Sequence, residues 1–311
     1  MDGKKLQRQY KESLSDFRNW SVKDHAKEWL IYPENIGPYL SIDETALSKG
    51  ELYTIITNKR AKGKKGSLVA IFSGTKVEPI VEKLLTISSK IRRKVREVTL
   101  DMASSMKNIV SKSFSNAIQV TDRFHVQKLA IEALQDIRIQ ERWKALDNEN
   151  QAIKEARKAN IAYVAQEFEN GDTPKQLLIR SRYLLCMDSD KWTENQKTRS
   201  KIIFREFPVI KQAYNLVQGL RNIYNTTTVK EVAYTKLAHW YNKIENSNLK
   251  TFNTVVNTIQ LNYQSILNYF DNRSTNASAE SFNAKIKAFR TQFRGVRDIE
   301  FFLYRLVTIF A

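Results

Sequence analysis

The sequence predicts an α/β fold in which a mixed five-stranded sheet is flanked by helices and interrupted by a large all-α insertion. Short apolar, β-branched runs alternate with helical patterns over residues 40–131. Residues 132–271 then carry helix-like patterns and few strand signals, and residues 272–311 return to the first domain with an amphipathic helix. The 311 residues, of which 42% are hydrophobic, suffice for a substantial core.

Residues 1–39 are predicted to form a charged helical segment that runs to about residue 31, before Pro33, Gly37 and Pro38 break the pattern. The elements predicted next are strand 40–43, strand 52–57, strand 68–72, helix 77–91, strand 95–100, helix 102–114 and strand 118–120. This is the order of a ribonuclease-H-like core. In the insertion, the helices predicted are 124–139, 150–168, 174–185, 194–204, 208–220 and 229–246.

Three acidic residues are the candidates for chemistry. Asp43 and Asp101 each end an apolar run, where a charge is costly unless it is paired or bound to metal, and Glu280 opens the last amphipathic helix. Either aspartate could instead cap a turn, and Glu44 is an alternative to Asp43. Hard carboxylate ligands favour Mg²⁺ or Mn²⁺. Two such ions about 3.5–4 Å apart can activate a water and stabilise a leaving 3′ oxygen.

The segment that follows Glu280 is amphipathic. Its apolar stripe consists of Phe282, Ile286, Phe289 and Phe293. Its opposite side carries Glu280, Asn283, Lys287 and Arg290. This second face suits a metal ligand beside phosphate contacts. The alternative is a solvent-exposed polar face on which Glu280 complements the helix dipole.

The chain is strongly basic, with 51 Lys and Arg against 33 Asp and Glu and a formal charge of +18. Because this charge is spread along the chain, it favours an extended surface for nucleic acid over a single basic tail. The alternative is an ordinary solvated surface. The candidate DNA contacts are Lys59, Arg60, Lys62, Lys64, Lys65, Lys287, Arg290 and Arg294. Such phosphate contacts position a duplex without reading its sequence.

A single cysteine, Cys186, excludes a disulfide framework and a cysteine-based zinc site, and it fits the reducing cytoplasm. No apolar stretch approaches the roughly 20 residues of a membrane span, and the N-terminus lacks a signal-like apolar core. We therefore expect a cytoplasmic protein with no membrane partner. His25 and His239 have no metal-ligand companions and are expected to be structural.

Four motifs resemble DDE transposases of bacterial insertion sequences, most closely the ISL-three group and its ISAon-like branch. They are Ser-Ile-Asp-Glu-Thr at 41–45, Leu-Asp-Met-Ala at 100–103, Asp-Arg-Phe-His at 122–125 and Asn-Ala-Ser-Ala-Glu-Ser-Phe-Asn-Ala-Lys-Ile-Lys at 276–287. The resemblance runs from about residue 29 to the end. It implies a ribonuclease-H-like catalytic region with Asp43, Asp101 and Glu280 as the catalytic and metal-binding triad. It also implies two-metal hydrolysis at transposon ends and strand transfer into target DNA.

Asp122 and His125 belong to the third motif, so the resemblance implies that both lie near the active site. Asp122 or Thr121 could instead cap the following helix, and His125 could be a packed or phosphate-contacting residue. Asn283, in the fourth motif, is a further candidate for active-site support.

Only about 40 residues precede the first predicted strand, and they hold no cysteine cluster. The wider group carries an N-terminal zinc-binding or helix-turn-helix region that recognises transposon ends. We therefore expect the catalytic part of a split or truncated transposase, which acts as a homo-oligomer on DNA with a separately encoded end-recognition domain. The alternatives are a non-catalytic, regulatory DNA-binding derivative and a nuclease of the same fold.

Overall fold

The structure, a computed structural model, describes residues 3–48, 50–292, 296 and 298–311. It contains two units, of which the first comprises Met1–Asp122 together with Gln264–Ala311 and the second comprises Arg123–Tyr263. The chain thus leaves the first unit after Asp122 and returns to it at Gln264.

A six-stranded sheet organises the first unit. Its strands are β1 (Trp29–Ile31), β2 (Tyr39–Ser48), β3 (Glu51–Asn58), β4 (Leu68–Ser73), β5 (Glu97–Leu100) and β6 (Ile118–Thr121). Their order in the sheet is β1-β4-β3-β2-β5-β6. The pairs from β1 to β2 are antiparallel, whereas β5 runs parallel to both β2 and β6. The strands from β2 to β6 have the order and directions of a ribonuclease-H-like core, so the predicted fold class is confirmed.

The edge strand β1 was not predicted, because residues 1–31 were expected to be helical. The structure confirms a helix only at the start. The chain there forms a helix (Gly3–Gln9), a π-helical turn (Tyr10–Leu14) and two 3₁₀ turns (Asp16–Asn19 and Lys23–His25). Trp29 then pairs with Phe72 and Ile31 with Ala70, antiparallel to β4. A free sheet edge and the bulky Trp-Leu-Ile run favour this pairing over continued helix.

The α-helices of the described residues are α1 (Gly3–Gln9), α2 (Val77–Leu85), α3 (Ser89–Arg92), α4 (Ser104–Ser113), α5 (Arg123–Lys158), α6 (Pro174–Arg180), α7 (Arg182–Cys186), α8 (Glu194–Glu206), α9 (Pro208–Thr226), α10 (Lys230–Glu245), α11 (Lys250–Leu261), α12 (Tyr263–Leu267), α13 (Tyr269–Asn272), α14 (Ala277–Gln292) and α15 (Ile299–Phe310). None of the helices in the described ranges is long and apolar enough to cross a membrane.

The two faces of the sheet bury separate apolar clusters, as the period of two along a strand requires. Beneath one face, the strands pack on α2 and α4 through Leu40, Ile42, Val98, Leu100, Leu84 and Ile109. On the other face, the core includes Leu47, Ile55, Phe282, Ile286, Phe302 and Leu306. The predicted apolar stripe of the last helix is therefore confirmed at Phe282 and Ile286, with Phe289 partly buried against the same cluster. Phe293 lies outside the described residues.

The second unit is helical in every element that the structure describes, as predicted for the insertion. Its longest helix, α5, joins two predicted helices, because no Gly or Pro interrupts residues 123–158. It ends before the predicted residue 168. Asn160 adopts a left-handed conformation (φ 55°), and the N–H groups of Asn160 and Ile161 bond back to the carbonyls of Arg157 and Ala156. These paired bonds form a Schellman cap, which stops the helix.

Side-chain caps set the starts of two helices in the second unit. Thr173 and Gln176 form a reciprocal capping box at α6, and Thr193 and Gln196 do the same at α8. Each box satisfies backbone N–H groups that have no partner within the helix. The spacing Thr-x-x-Gln is visible in the sequence.

Hydrogen bonds in the first unit join the two chain segments that flank the insertion. The hydroxyls of Thr121, at the end of β6, and Ser265 lie 2.8 Å apart. The Asn268 amide donates to the backbone carbonyl of Gln119 at 2.9 Å. The segment that returns to the first unit is thereby fastened to the strand from which the chain departed.

Candidate active site

The parallel register of β2 and β5 brings two of the predicted acids together. Asp43 lies within β2, and Asp101 directly follows β5. Ser41 is the partner of Thr99 in this register, so an extension of two residues places Asp43 beside Asp101. Residues two apart share a face, and neighbouring strands are about 4.8 Å apart. Both aspartates therefore occupy one face of the sheet, with Asp101 just past the end of β5. Asp43 was predicted to end its strand, which is wrong, because pairing with β3 extends β2 to Ser48.

Asp122 continues this row onto β6. Thr99 is the partner of Val120, and the N–H of Asp122 donates to the Leu100 carbonyl at 3.0 Å, so the pairing persists to this residue. Only 2% of Asp122 is exposed, whereas Asp43 and Asp101 are half-buried. His125 lies on α5 in the second unit, with its ring edge-on to that of Phe124.

Local hydrogen bonds hold the two half-buried aspartates. The Ala103 N–H donates to Asp101 Oδ1 at 2.8 Å, and the Glu44 N–H donates to Asp43 Oδ1 at 2.9 Å. The turn-capping alternative is thus realised at Asp101 through one of its two carboxylate oxygens. The other oxygen of Asp43 accepts a hydrogen bond of 2.7 Å from the Asn283 side-chain amide. This bond links β2 directly to α14.

Three polar contacts fix α14 against β2 and the turn between β3 and β4. Besides the Asn283–Asp43 bond, Lys285 Nζ donates to the Gly63 carbonyl at 2.7 Å and Arg290 to the Ala46 carbonyl at 3.4 Å. Glu280 precedes Asn283 by three residues, which is about 60° around the helix and about 4.5 Å along its axis. Glu280 therefore lies on the side of α14 that carries the link to Asp43.

Asp43, Asp101 and Asp122 form an acidic row across three strands, and their carboxylate oxygens are suitable ligands for a divalent cation. Burial raises the pKa of Glu44, and the negative charges of Asp101 and Asp43 raise it further. A bound cation would offset this local excess of negative charge, and carboxylate oxygens are the ligands that Mg²⁺ and Mn²⁺ prefer. Within the residues that the structure describes, however, no three His, Cys, Asp or Glu side chains are grouped closely enough to hold a metal ion. The described residues therefore provide carboxylate ligands of the right kind, but they do not bring three of them together around one point.

The candidate DNA contacts differ in exposure. The exposed side chains are Arg60, Lys62, Lys64, Lys65 and Lys287. Arg290 is half-buried and bonded to the Ala46 carbonyl, and Arg294 lies outside the described residues. Lys59 is different, because only 16% of its side chain is exposed and its ammonium pairs with Glu97. The sequence did not predict this burial, because Lys59 belongs to a turn whose other cations are exposed.

Gly63→Ala is expected to destabilise the protein by about 1 kcal/mol more than Gly74→Ala, because it displaces the Lys285 hydrogen bond. Both glycines have positive φ, 71° and 79°, so alanine is strained at each. A Cβ at Gly63 would lie 2.6 Å from Lys285 Nζ, whereas one at Gly74 would meet nothing within 4 Å. Urea unfolding measures the difference, which should vanish in a Lys285→Met background. A difference that persists there would contradict the explanation.

Comparison with known proteins agrees with the resemblance in the motifs. A family model for DDE transposases of the ISL3 type matches residues 40–306. The chain is 22% identical over 277 residues to the transposase for insertion sequence element IS1001 from Bordetella parapertussis, which covers 88% of this chain and 61% of that protein. The chain therefore spans about three fifths of the length of this curated relative.

Among solved structures, the Drosophila P element transposase strand transfer complex matches with 14% identity and a TM-score of 0.37, covering 99% of this chain and 84% of that one. The family match is independent of this comparison and spans Asp43, Asp101, the helical insertion and Glu280. The predicted family is confirmed, and the chain belongs to the ISL3 group of DDE transposases.

Proposed function

We propose that this chain is the catalytic region of a transposase that hydrolyses a phosphodiester at the transposon end. The freed 3′-hydroxyl is then transferred into target DNA. The observation that carries the proposal is the arrangement of Asp43 and Asp101 on adjacent strands of a family-matched core. Their face of the sheet is the one on which α14, the helix that bears Glu280, is fixed through Asn283.

In this proposal, Asp43, Asp101 and Glu280 hold two Mg²⁺ or Mn²⁺ ions. When bound, such ions supply water activation and stabilisation of the leaving 3′ oxygen. The chain's own groups orient the ligands. The Asn283 amide fixes one oxygen of Asp43, and the Ala103 N–H fixes one oxygen of Asp101. Hydrolysis and transfer are both in-line displacements at phosphorus, so one set of acids can serve both.

The proposed partners are transposon-end DNA and target DNA, bound as a homo-oligomer with a separately encoded end-recognition domain. Support for DNA comes from the net charge of +18 and from the exposed cations of the turn at 59–65. Asp122 is proposed to support the active site from the end of β6, and the proposed role of His125 in support rests on the motif alone. The proposed location is the cytoplasm, where Cys186 stays reduced.

A product assay on the purified chain tests the function. Labelled transposon-end DNA and a plasmid target are incubated with Mg²⁺, with Mn²⁺ and without metal. Metal-dependent joined products support a transposase. Cleavage without joining would indicate a nuclease of the same fold, and binding without cleavage would indicate a regulatory derivative.

DNA binding by this chain alone is expected to be salt-sensitive and weakly selective. With roughly five phosphate contacts, raising the salt from about 50 to about 200 mM should weaken binding about 10²–10³-fold, because each contact releases counterions. Competition between end DNA and scrambled DNA at both salt concentrations measures this. Addition of the end-recognition partner should restore preference, since base-edge contacts create selectivity. A strong preference by the chain alone at the higher salt would show that it contains an end-reading element.

A further inference from the structure

A buried ion pair lies on the face of the sheet that carries the acidic row. Lys59 Nζ is 3.5 Å from Glu97 Oε1, and the two side chains are only 16% and 5% exposed. The same ammonium donates to the Thr99 hydroxyl at 2.7 Å and to the Ser274 hydroxyl at 3.2 Å. We refer to this Lys59–Glu97 pair as the buried bridge. It joins the end of β3, strand β5 and the segment that precedes α14.

Glu97 makes a second connection to that segment. Its Oε2 accepts a hydrogen bond of 3.2 Å from the Asn272 amide. Both members of the bridge therefore reach residues that stand three to five positions before α14, which begins at Ala277. The start of this helix is attached to β5 through side chains rather than through packing alone.

The bridge and the acidic row share one strand face. Glu97, Thr99 and Asp101 follow one another at intervals of two, so all three occupy the same side of β5 and its extension. On α14, Glu280 lies six residues after Ser274 and three before Asn283, which bonds to Asp43. Glu280 thus stands between two points at which the segment is fastened to the sheet.

Burying the two charges of the bridge carries a desolvation cost in free energy. Burial lowers the pKa of Lys59, while the negative charges of Glu97 and Asp122 oppose this effect. On the same strand face, Ser41 Oγ and Thr57 Oγ1 are buried without a hydrogen-bond partner in the described residues. The opposite face of the same strands is apolar at Leu40, Ile42, Val98 and Leu100. Stability alone favours apolar residues at such sites, so the polar arrangement points to a positional role.

We propose that the Lys59–Glu97 bridge positions the start of α14, and with it Glu280, relative to Asp101, so that Lys59 is a positioning residue and not a DNA contact. This inference rests on the proposed function for its catalytic consequence. The attachment itself does not depend on activity.

Two single variants separate the bridge from the basic turn. Lys59→Met removes the buried cation, and Lys64→Met makes the same change at an exposed lysine of that turn. Amide hydrogen exchange over residues 277–283 should become about tenfold faster in Lys59→Met and stay unchanged in Lys64→Met. Lys59→Arg, which keeps the charge, should restore part of the protection. Unchanged exchange in Lys59→Met would overturn the proposal.

Kinetics provide the second readout. At saturating DNA, Lys59→Met should lower the joining rate about 10²-fold with little change in DNA affinity, because a small displacement of a reacting group is expensive. Lys64→Met should weaken affinity, whereas Lys112→Met, at an exposed position on α4, should change neither the rate nor the affinity. Weaker affinity with an unchanged rate in Lys59→Met would make Lys59 a phosphate contact and overturn the proposal.

The double variant Lys59→Met/Glu97→Met separates positioning from stability. Replacing both buried charges by apolar side chains should return the unfolding temperature towards that of the parent, since no unpaired charge remains. The joining rate should stay low. Recovery of the joining rate together with stability would show a purely structural role. If the parent chain joins no DNA, the proposed function fails, and the exchange experiment still decides whether the bridge holds α14.

Discussion

Asp43→Asn, Asp101→Asn and Glu280→Gln are each expected to lower metal-dependent cleavage and joining by more than about 10³-fold, with DNA affinity changed less than about threefold. Each change preserves shape and removes a negative charge that the proposed metal pair requires. Because one lost ligand already disables the pair, a double variant should be no slower than the slower single variant. Product formation and filter binding on the same preparations measure the two effects.

Glu78→Gln, at an exposed position on α2, is the matched control and should leave both measurements unchanged. Normal cutting by Glu280→Gln under Mg²⁺ would remove Glu280 from the proposed triad. The structure does not gather its carboxylate with those of Asp43 and Asp101, so this variant is the most informative of the three.

Asp172→Asn is expected to destabilise the helical unit by about 2–3 kcal/mol, somewhat less than the loss of a fully buried ion-pair partner. Asp172 is fully buried and accepts hydrogen bonds from Arg180, from Arg199 at 3.1 Å and from Asn170 at 2.8 Å. The amide keeps the shape but leaves two guanidinium groups without their shared anion. Arg180 is 54% exposed, which moderates the cost. Urea unfolding followed by tryptophan fluorescence and circular dichroism measures the loss.

The pH dependence of this effect has a defined sign. Burial alone would raise the pKa of Asp172, but the hydrogen bonds from Arg199 and Arg180 outweigh it and hold the pKa below its usual range. Its contribution to stability is therefore complete above about pH 4 and disappears as the pH falls through the lowered pKa. The difference between Asp172→Asn and the parent should shrink in the same range.

The surface pair Glu169–Arg205 provides the control, with contacts of 2.8 and 3.0 Å between exposed side chains. Glu169→Gln should change the unfolding midpoint little, because solvent screens exposed pairs. Equal losses at the buried and exposed positions would contradict the assigned role of Asp172.

Most strands of the sheet could be predicted because each is specified by a short stretch of sequence. The β-branched runs at 52–57 and 68–72 and the apolar runs that end near Asp43 and Asp101 predict strands whatever surrounds them. The stripe through Phe282 and Ile286 likewise predicts which face of α14 is buried.

The missed features depend on distant partners. Strand β1 forms because an edge of β4 is available some 40 residues later in the chain. Lys59 is buried because Glu97 and Ser274 surround its ammonium, and neither is near it in sequence. Within a turn rich in lysine, composition predicts exposure for every member. The contact between Asn283 and Asp43 was likewise not predicted, because the two residues are 240 positions apart in the sequence.

The bond between the Thr121 and Ser265 hydroxyls has an evolutionary consequence. It holds together, within the first unit, the two chain ends between which residues 123–263 are inserted. Insertion at such a point leaves strand pairing intact on either side. Changes in the length or identity of the inserted residues are therefore compatible with an unchanged register of β2, β5 and β6. Divergence among relatives should then concentrate between Arg123 and Tyr263 and spare the strands that carry the acids.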